Sequence, residues 1–139
     1  MGMRTSRSLD VRQKAMRLVE ETYRVARLLP DHERFGLIRQ LQRAAVSIPT
    51  NIAEGYGRTH RGDYLHHLSI ARGSLMEWET LLTLSVRRKP VDRARVLDVW
   101  QFSQDVGRML TKLIASLRRT ETLNPNPETR RACIGSQGG

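Results

Sequence analysis

The chain has 139 residues, about one domain's worth, with 39% hydrophobic, 5% aromatic and 27% charged residues. Twenty-four Lys and Arg stand against 14 Asp and Glu, a net charge of +10, and the pI is about 11.1. No uncharged apolar stretch approaches the ~20 residues of a membrane-spanning helix, and the single cysteine, Cys133, excludes an internal disulfide and a cysteine-based zinc site.

Met1–Asp10 is polar and carries no apolar core of a secretory signal, so the cytoplasm is the expected location. From Ser8 to Leu29, the residues Val11, Ala15, Leu18, Thr22, Val25 and Leu29 recur at spacings of three and four, one face of a helix. Pro30 stops it, and Asp31 is placed to cap the next. A second helix over about Glu33–Tyr56 carries the seam Ile38, Leu41, Ala45, Ile48, Ile52. Pro49 lies inside it and removes one hydrogen bond, but the seam continues in phase, which favours one kinked helix stopped by Gly55 and Gly57.

A third helix begins near Arg61–Asp63, carries Tyr64, Leu68, Ala71, Leu75, Trp78, Leu82 and Ser85, and ends before Pro90. The fourth runs from Val91 or Asp92 to about Arg119 on Val99, Ser103, Val106, Leu110, Leu113 and Leu117. This divides the chain into a flexible N-terminus (residues 1–8), a bundle domain (9–119) and a disordered tail (120–139) with no periodic face.

If helices two and three fold back near residue 60, facing residues should keep a constant sum of numbers. Ile48 with Ala71, Ala45 with Leu75, Leu41 with Trp78 and Ile38 with Leu82 all fall at 119–120. With short connections throughout, the expected fold is an all-α, up-down-up-down four-helix bundle. Ile70, Leu81, Leu84, Leu97, Phe102 and Ile114 lie off the seams, which suggests a second buried face and self-association. Gly73 and Gly107 fall mid-helix, where each costs ~1 kcal/mol against alanine unless a neighbouring helix approaches closely.

Gln40–Arg58, which contains Ser47-Ile48-Pro49-Thr50-Asn51-Ile52-Ala53-Glu54-Gly55-Tyr56-Gly57, and the block Leu68–Thr80 resemble the two signature stretches of the bacterial four-helix bundle family, also called the 23S ribosomal RNA intervening-sequence protein family. The likeness extends more loosely over residues 10–118. It implies a homopentameric barrel without catalytic residues. One branch of that family, the accessory variability determinants of diversity-generating retroelements, is basic, binds nucleic acid and associates with a reverse transcriptase. The strong positive charge of this chain resembles that branch, and its signature blocks the general family.

The basic residues gather by topology at two poles. One collects Arg27, Arg34, Arg87, Arg88, Lys89, Arg93 and Arg95, the other Arg4, Arg7, Arg12, Arg58, Arg61, Arg118 and Arg119. Twenty-one of the 24 basic residues are arginine, whose planar fork suits phosphate, although GC-rich coding also favours it. Singly, Arg27, Arg87, Arg88, Arg118 and Arg119 complement helix C-termini, and Asp10, Asp31, Asp63 and Asp92 resemble helix N-terminal acids. Taken together, and at about +50 in a fivefold assembly, they point to phosphate binding without sequence reading.

Asp63 and His66 form half of a di-iron motif with no second half, and adjacent His66 and His67 point ~100° apart, so no metal and no cofactor is expected. Arg43, Asn51, Glu54, Arg72, Glu77 and Glu79 read as structural polar residues; across the register Arg43 faces about residues 76–77 and Gln40 faces Glu79, as pairs flanking the seam or as an intersubunit contact. The function expected is a non-enzymatic, oligomeric nucleic-acid-binding protein, for RNA in preference to DNA, with a reverse transcriptase among its partners. The alternative is an interaction module docking an acidic protein.

Overall fold

The computed structural model describes residues 2–29, 36–88 and 93–123, with side chains over 6–29, 36–87 and 93–119. Four helices follow in order: α1 (Gly2–Ala26), α2 (Leu37–Tyr56), α3 (Arg61–Arg88) and α4 (Arg93–Leu123). At 1.5 Å per residue they are about 30–46 Å long. Among the described residues there is no strand. Each helix packs on its two neighbours, α1 on α2 and α4 and α3 on α2 and α4, most extensively between α2 and α3. The four close a ring around one core.

The helices overrun their seams. α1 starts at Gly2, so residues 2–8 are helical where an irregular N-terminus is expected, and Asp10 is an exposed residue inside the helix rather than a cap. α2 starts at Leu37, four residues later than expected, behind Gly36, which makes no side-chain cap. α4 continues to Leu123, past the expected boundary at 119. Asp63 lies in the first turn of α3. Asp31, Asp92 and residues 124–139 lie outside the described residues.

Every apolar seam position of α2 is buried, as are Val11, Ala15, Leu18, Val25 and Leu29 of α1. Burial of each large aliphatic side chain contributes roughly 1.5–3 kcal/mol. The polar seam residues Thr22, Ser85 and Ser103 are buried too, each donating to a carbonyl on its own helix: Leu18, Leu81 and Trp100 respectively. Trp78 is fully buried on α3, and its indole N–H donates to Thr22 Oγ1 of α1 at 3.0 Å. That bond crosses the core diagonally. On the other side Trp78 packs against Trp100 of α4, centroids 6.5 Å apart.

Of the six off-seam residues, Leu81 and Ile114 are buried in the core and Phe102 is half-buried. Lys14 and Arg17 of α1 cover the Phe102 ring, at 4.7 and 5.4 Å from its centroid. Ile70, Leu84 and Leu97 stay exposed. The two mid-helix glycines also part company. A Cβ on Gly107 would lie 3.3 Å from Leu75 Cδ2, a close α3–α4 approach, whereas a Cβ on Gly73 meets nothing within 4 Å.

Gly55 stands inside α2, and its role is contact rather than termination. A Cβ there would lie 2.7 Å from His67 Cβ and 3.2 Å from the Tyr64 carbonyl. Gly57 closes the helix in ordinary right-handed geometry, φ −76°, with its N–H on the Ala53 carbonyl. Gly55→Ala is therefore expected to cost about 1–3 kcal/mol by overpacking, while Gly73→Ala is expected to stabilise the isolated subunit by up to ~1 kcal/mol. Urea unfolding of both variants, at a dilution where the protein is monomeric, checks the opposite signs.

Candidate nucleic-acid interface

The α2–α3 hairpin is held by a chain of polar contacts along its seam. Ser47 and Ser74 hydroxyls lie 2.8 Å apart. Asn51 donates from Nδ2 to the Ser47 carbonyl and hydroxyl at 2.8 and 3.0 Å. With that amide oriented, its Oδ1 accepts from His67 Nδ1 at 3.2 Å. Thr50 caps the Val46 carbonyl beside Pro49. At the loop, Tyr56 and Tyr64 meet edge to face, centroids 6.2 Å apart, and Glu54 pairs with Arg58 at 3.1 Å. Ser47, Asn51, Gly55 and Tyr56 of the first signature stretch thus join α2 to α3.

The antiparallel ring brings the C-terminal ends of α1 and α3 and the N-terminal ends of α2 and α4 to one pole. Arg27, Arg87, Arg93 and Arg95 are placed there, with no acidic partner among the described residues. Arg34, Lys89 and the side chain of Arg88 lie outside the described residues. The opposite pole is more compensated: Arg58 is tied to Glu54, and Arg7 and Arg61 are half-buried. Arg118 and Arg119 are engaged in other contacts, and Arg12 lines a shallow pocket with Leu9 and Tyr56. The side chain of Arg4 is outside the described residues. Elsewhere Glu21 pairs with Arg24, and Asp105 with Lys14 and Arg108.

Within the subunit, the two pairings facing across the α2–α3 register do not form among the described residues. Glu79 accepts from Gln104 Nε2 of α4 at 3.1 Å rather than from Gln40. Arg43 makes no ion pair with Glu77 among the described residues; it lines a groove of ≈ 540 Å³ on the α1–α2 side with Tyr23, Arg39, Gln42, Val46 and Thr50. Register fixes height along the bundle and does not by itself bring two side chains within ion-pair distance; Arg43 is exposed, and its groove is also lined by Ser47 and Asn51. Sequence reasoning does not single out Arg39 or Tyr23, although a signal for them exists. Between Glu33 and Glu54 the chain has no acid, and Arg39 and Arg43 repeat at i, i+4. Nor does it find the exposed α1 stripe of Leu9, Met16 and Tyr23 at seven-residue intervals.

A second groove of ≈ 410 Å³ lies between α3 and α4, lined by Arg72, Met76, Glu79, Gln104, Gly107 and Arg108 among others. Burial pushes the Glu79 carboxyl above its ordinary range, and the Gln104 hydrogen bond partly offsets this. Among the described residues no group of three or more His, Cys, Asp and Glu gathers as metal ligands. No helix among them is long and apolar enough to cross a membrane.

The fold and surface define a basic four-helix bundle with an arginine-rich pole. The chain belongs to the 23S rRNA-intervening sequence protein family, whose model matches residues 7–112. Among solved structures it is similar to a protein of unknown function from the S23 ribosomal protein family of Bacteroides thetaiotaomicron. The TM-score is 0.72 at 23% identity, over 78% of this chain and 98% of that one, a likeness of fold. No curated protein matches.

Because the folded state holds the Glu79 pKa above its unfolded value, ionisation of Glu79 opposes folding. Its favourable contribution is complete below the unfolded pKa and is lost as pH rises through the folded one. Glu79→Gln, which keeps an acceptor for Gln104, is expected to be more stable than wild type at neutral pH. The gap should close on acidification through the carboxylate range, read from melting temperatures across pH.

Proposed function

We propose that the protein is a non-enzymatic, self-associating scaffold that binds the phosphates of nucleic acid. The observation that carries this is the pole of arginines, Arg27, Arg87, Arg93 and Arg95, which have no ion-pair partner among the described residues, whereas Arg24, Arg58 and Arg108 are each paired with an acid on their own helix. Guanidinium groups placed in this way bind phosphate oxygens in bidentate fashion and release counterions. Such contacts position a strand without reading its sequence. Family resemblance supports nucleic-acid binding, a fivefold assembly and a reverse transcriptase as partner; we take RNA in preference to DNA as the ligand and, from the polar Met1–Asp10 stretch, the cytoplasm as the location.

Binding to a labelled RNA, followed by anisotropy, is expected to weaken steeply with salt. Changing Arg27, Arg87, Arg93 and Arg95 together to glutamine is expected to lower the slope of log K against log salt by about 0.7–0.9 for each phosphate no longer neutralised. Salt-independent binding, or none at low salt, would turn the reading toward an acidic protein partner.

Self-association is supported by α3, whose outer face leaves Ile70 and Leu84 exposed beside Gly73 in open space. A glycine there admits close approach of another helix, which its own subunit does not supply. The double variant Ile70→Glu/Leu84→Glu is expected to lower the mass in sedimentation equilibrium while helicity stays unchanged. An unchanged mass would exclude this face as the contact.

A further inference from the structure

We infer that the α1–α2 groove is a subsite for an unpaired nucleotide of a single-stranded RNA, with Tyr23 stacking on the base and Arg39 and Arg43 holding the flanking phosphates. This rests on the nucleic-acid reading above and adds to it a place and a strand preference. Three observations converge. First, Arg39 and Arg43 are exposed, one turn apart on α2, and have no ion-pair partner among the described residues. Like charges at i, i+4 repel each other, and a bound polyanion relieves that repulsion. Second, Tyr23 lines the same groove and is 45% exposed, an aromatic ring left half in solvent in a groove shared with two cations. Third, the groove measures ≈ 540 Å³, within the range of small-molecule sites, and is bordered by the half-buried amide of Gln42, which offers a donor and an acceptor to a base edge.

The strand preference follows from the aromatic. A duplex presents phosphates but keeps its bases stacked inside, so it can use Arg39 and Arg43 and not Tyr23. An unpaired base can use all three. An acidic peptide would satisfy the guanidiniums and leave the ring without a stacking partner. The groove lies toward the arginine pole, because Arg39 is in the first turn of α2, at the same end as Arg27, Arg87 and Arg93. A strand bound at the pole therefore has its next basic contact on α2 at Arg39.

The test uses the full-length protein, a short labelled single-stranded RNA and the duplex of the same sequence, with sedimentation run in parallel. Tyr23→Ala is expected to weaken single-strand binding about tenfold and leave duplex binding unchanged, with Tyr23→Phe restoring the affinity. Arg39→Gln/Arg43→Gln is expected to reduce the single-strand salt slope by roughly 1.4. Wild-type binding that survives all these changes removes the groove from the path and leaves the pole reading standing. Absence of binding by the wild type at low salt defeats that reading itself. Equal weakening of single-strand and duplex binding in Tyr23→Ala, a fall in oligomeric mass in that variant, or equal competition by polyglutamate would each overturn the assignment.

Discussion

The indole N–H of Trp78 must find an acceptor in a core that otherwise offers mostly hydrocarbon, and much of the bundle is arranged around that need. Leaving it unmet costs about 1–3 kcal/mol. Thr22 meets it from the helix diagonally opposite, and can do so because its own proton is committed to the Leu18 carbonyl, leaving a lone pair turned inward. One bond thereby sets the height of α1 against α3, two helices that share little other contact. Trp100 closes the opposite side of the same indole. With Trp78 placed, the seam residues above and below it fill the core, and the outward residues of each helix are determined by exclusion.

The first signature stretch reads differently once its contacts are known. Ser47, Asn51, Gly55 and Tyr56 meet Ser74, His67 and Tyr64 on α3. Each is a residue type that looks like chemistry in a sequence: a hydroxyl, an amide, a glycine pair, a histidine. Here the hydroxyl and amide satisfy one another, Gly55 makes room for the Cβ of His67, and the histidine is held through Nδ1. The stretch specifies a hairpin, and its outward residues Arg43, Val46 and Thr50, together with the edges of Ser47 and Asn51, are what it leaves to an outside partner.

The seams were legible because burial at period 3.6 leaves a pattern no other constraint imitates. The α2–α3 register was legible because two independently read seams had to mesh: Gly55 against Tyr64, Asn51 against His67 and Ser47 against Ser74 keep nearly the spacing set by Ala45 against Leu75. The helix ends were not legible, since a seam marks only the turns that touch the core; α1 runs on to Gly2 without one. The arginine poles followed from chain order alone. The pairing of Arg43 did not, because height along the axis is a one-dimensional property and contact also needs rotation. Gly73 and Gly107 look alike in sequence and differ only in what stands opposite, open space for Gly73 and Leu75 for Gly107.

The placement of charge on α2 follows from where its stability comes from. Between its first residue and Glu54 this helix has two arginines and no acid, so it forgoes the i, i+4 pairs, each worth ~0.2–0.5 kcal/mol, that support solvent-facing helices. It also carries Pro49, which leaves the Ala45 carbonyl without its usual donor. An isolated helix with these features would be marginal. α2 has instead the most extensive packing in the bundle and the Ser47–Asn51–His67 contacts to α3. Those inward interactions, rather than charge pairs on its outer face, hold the helix. The outward face is thus released from any stabilising duty, and like charges can persist there, which is the condition a polyanion-binding surface requires.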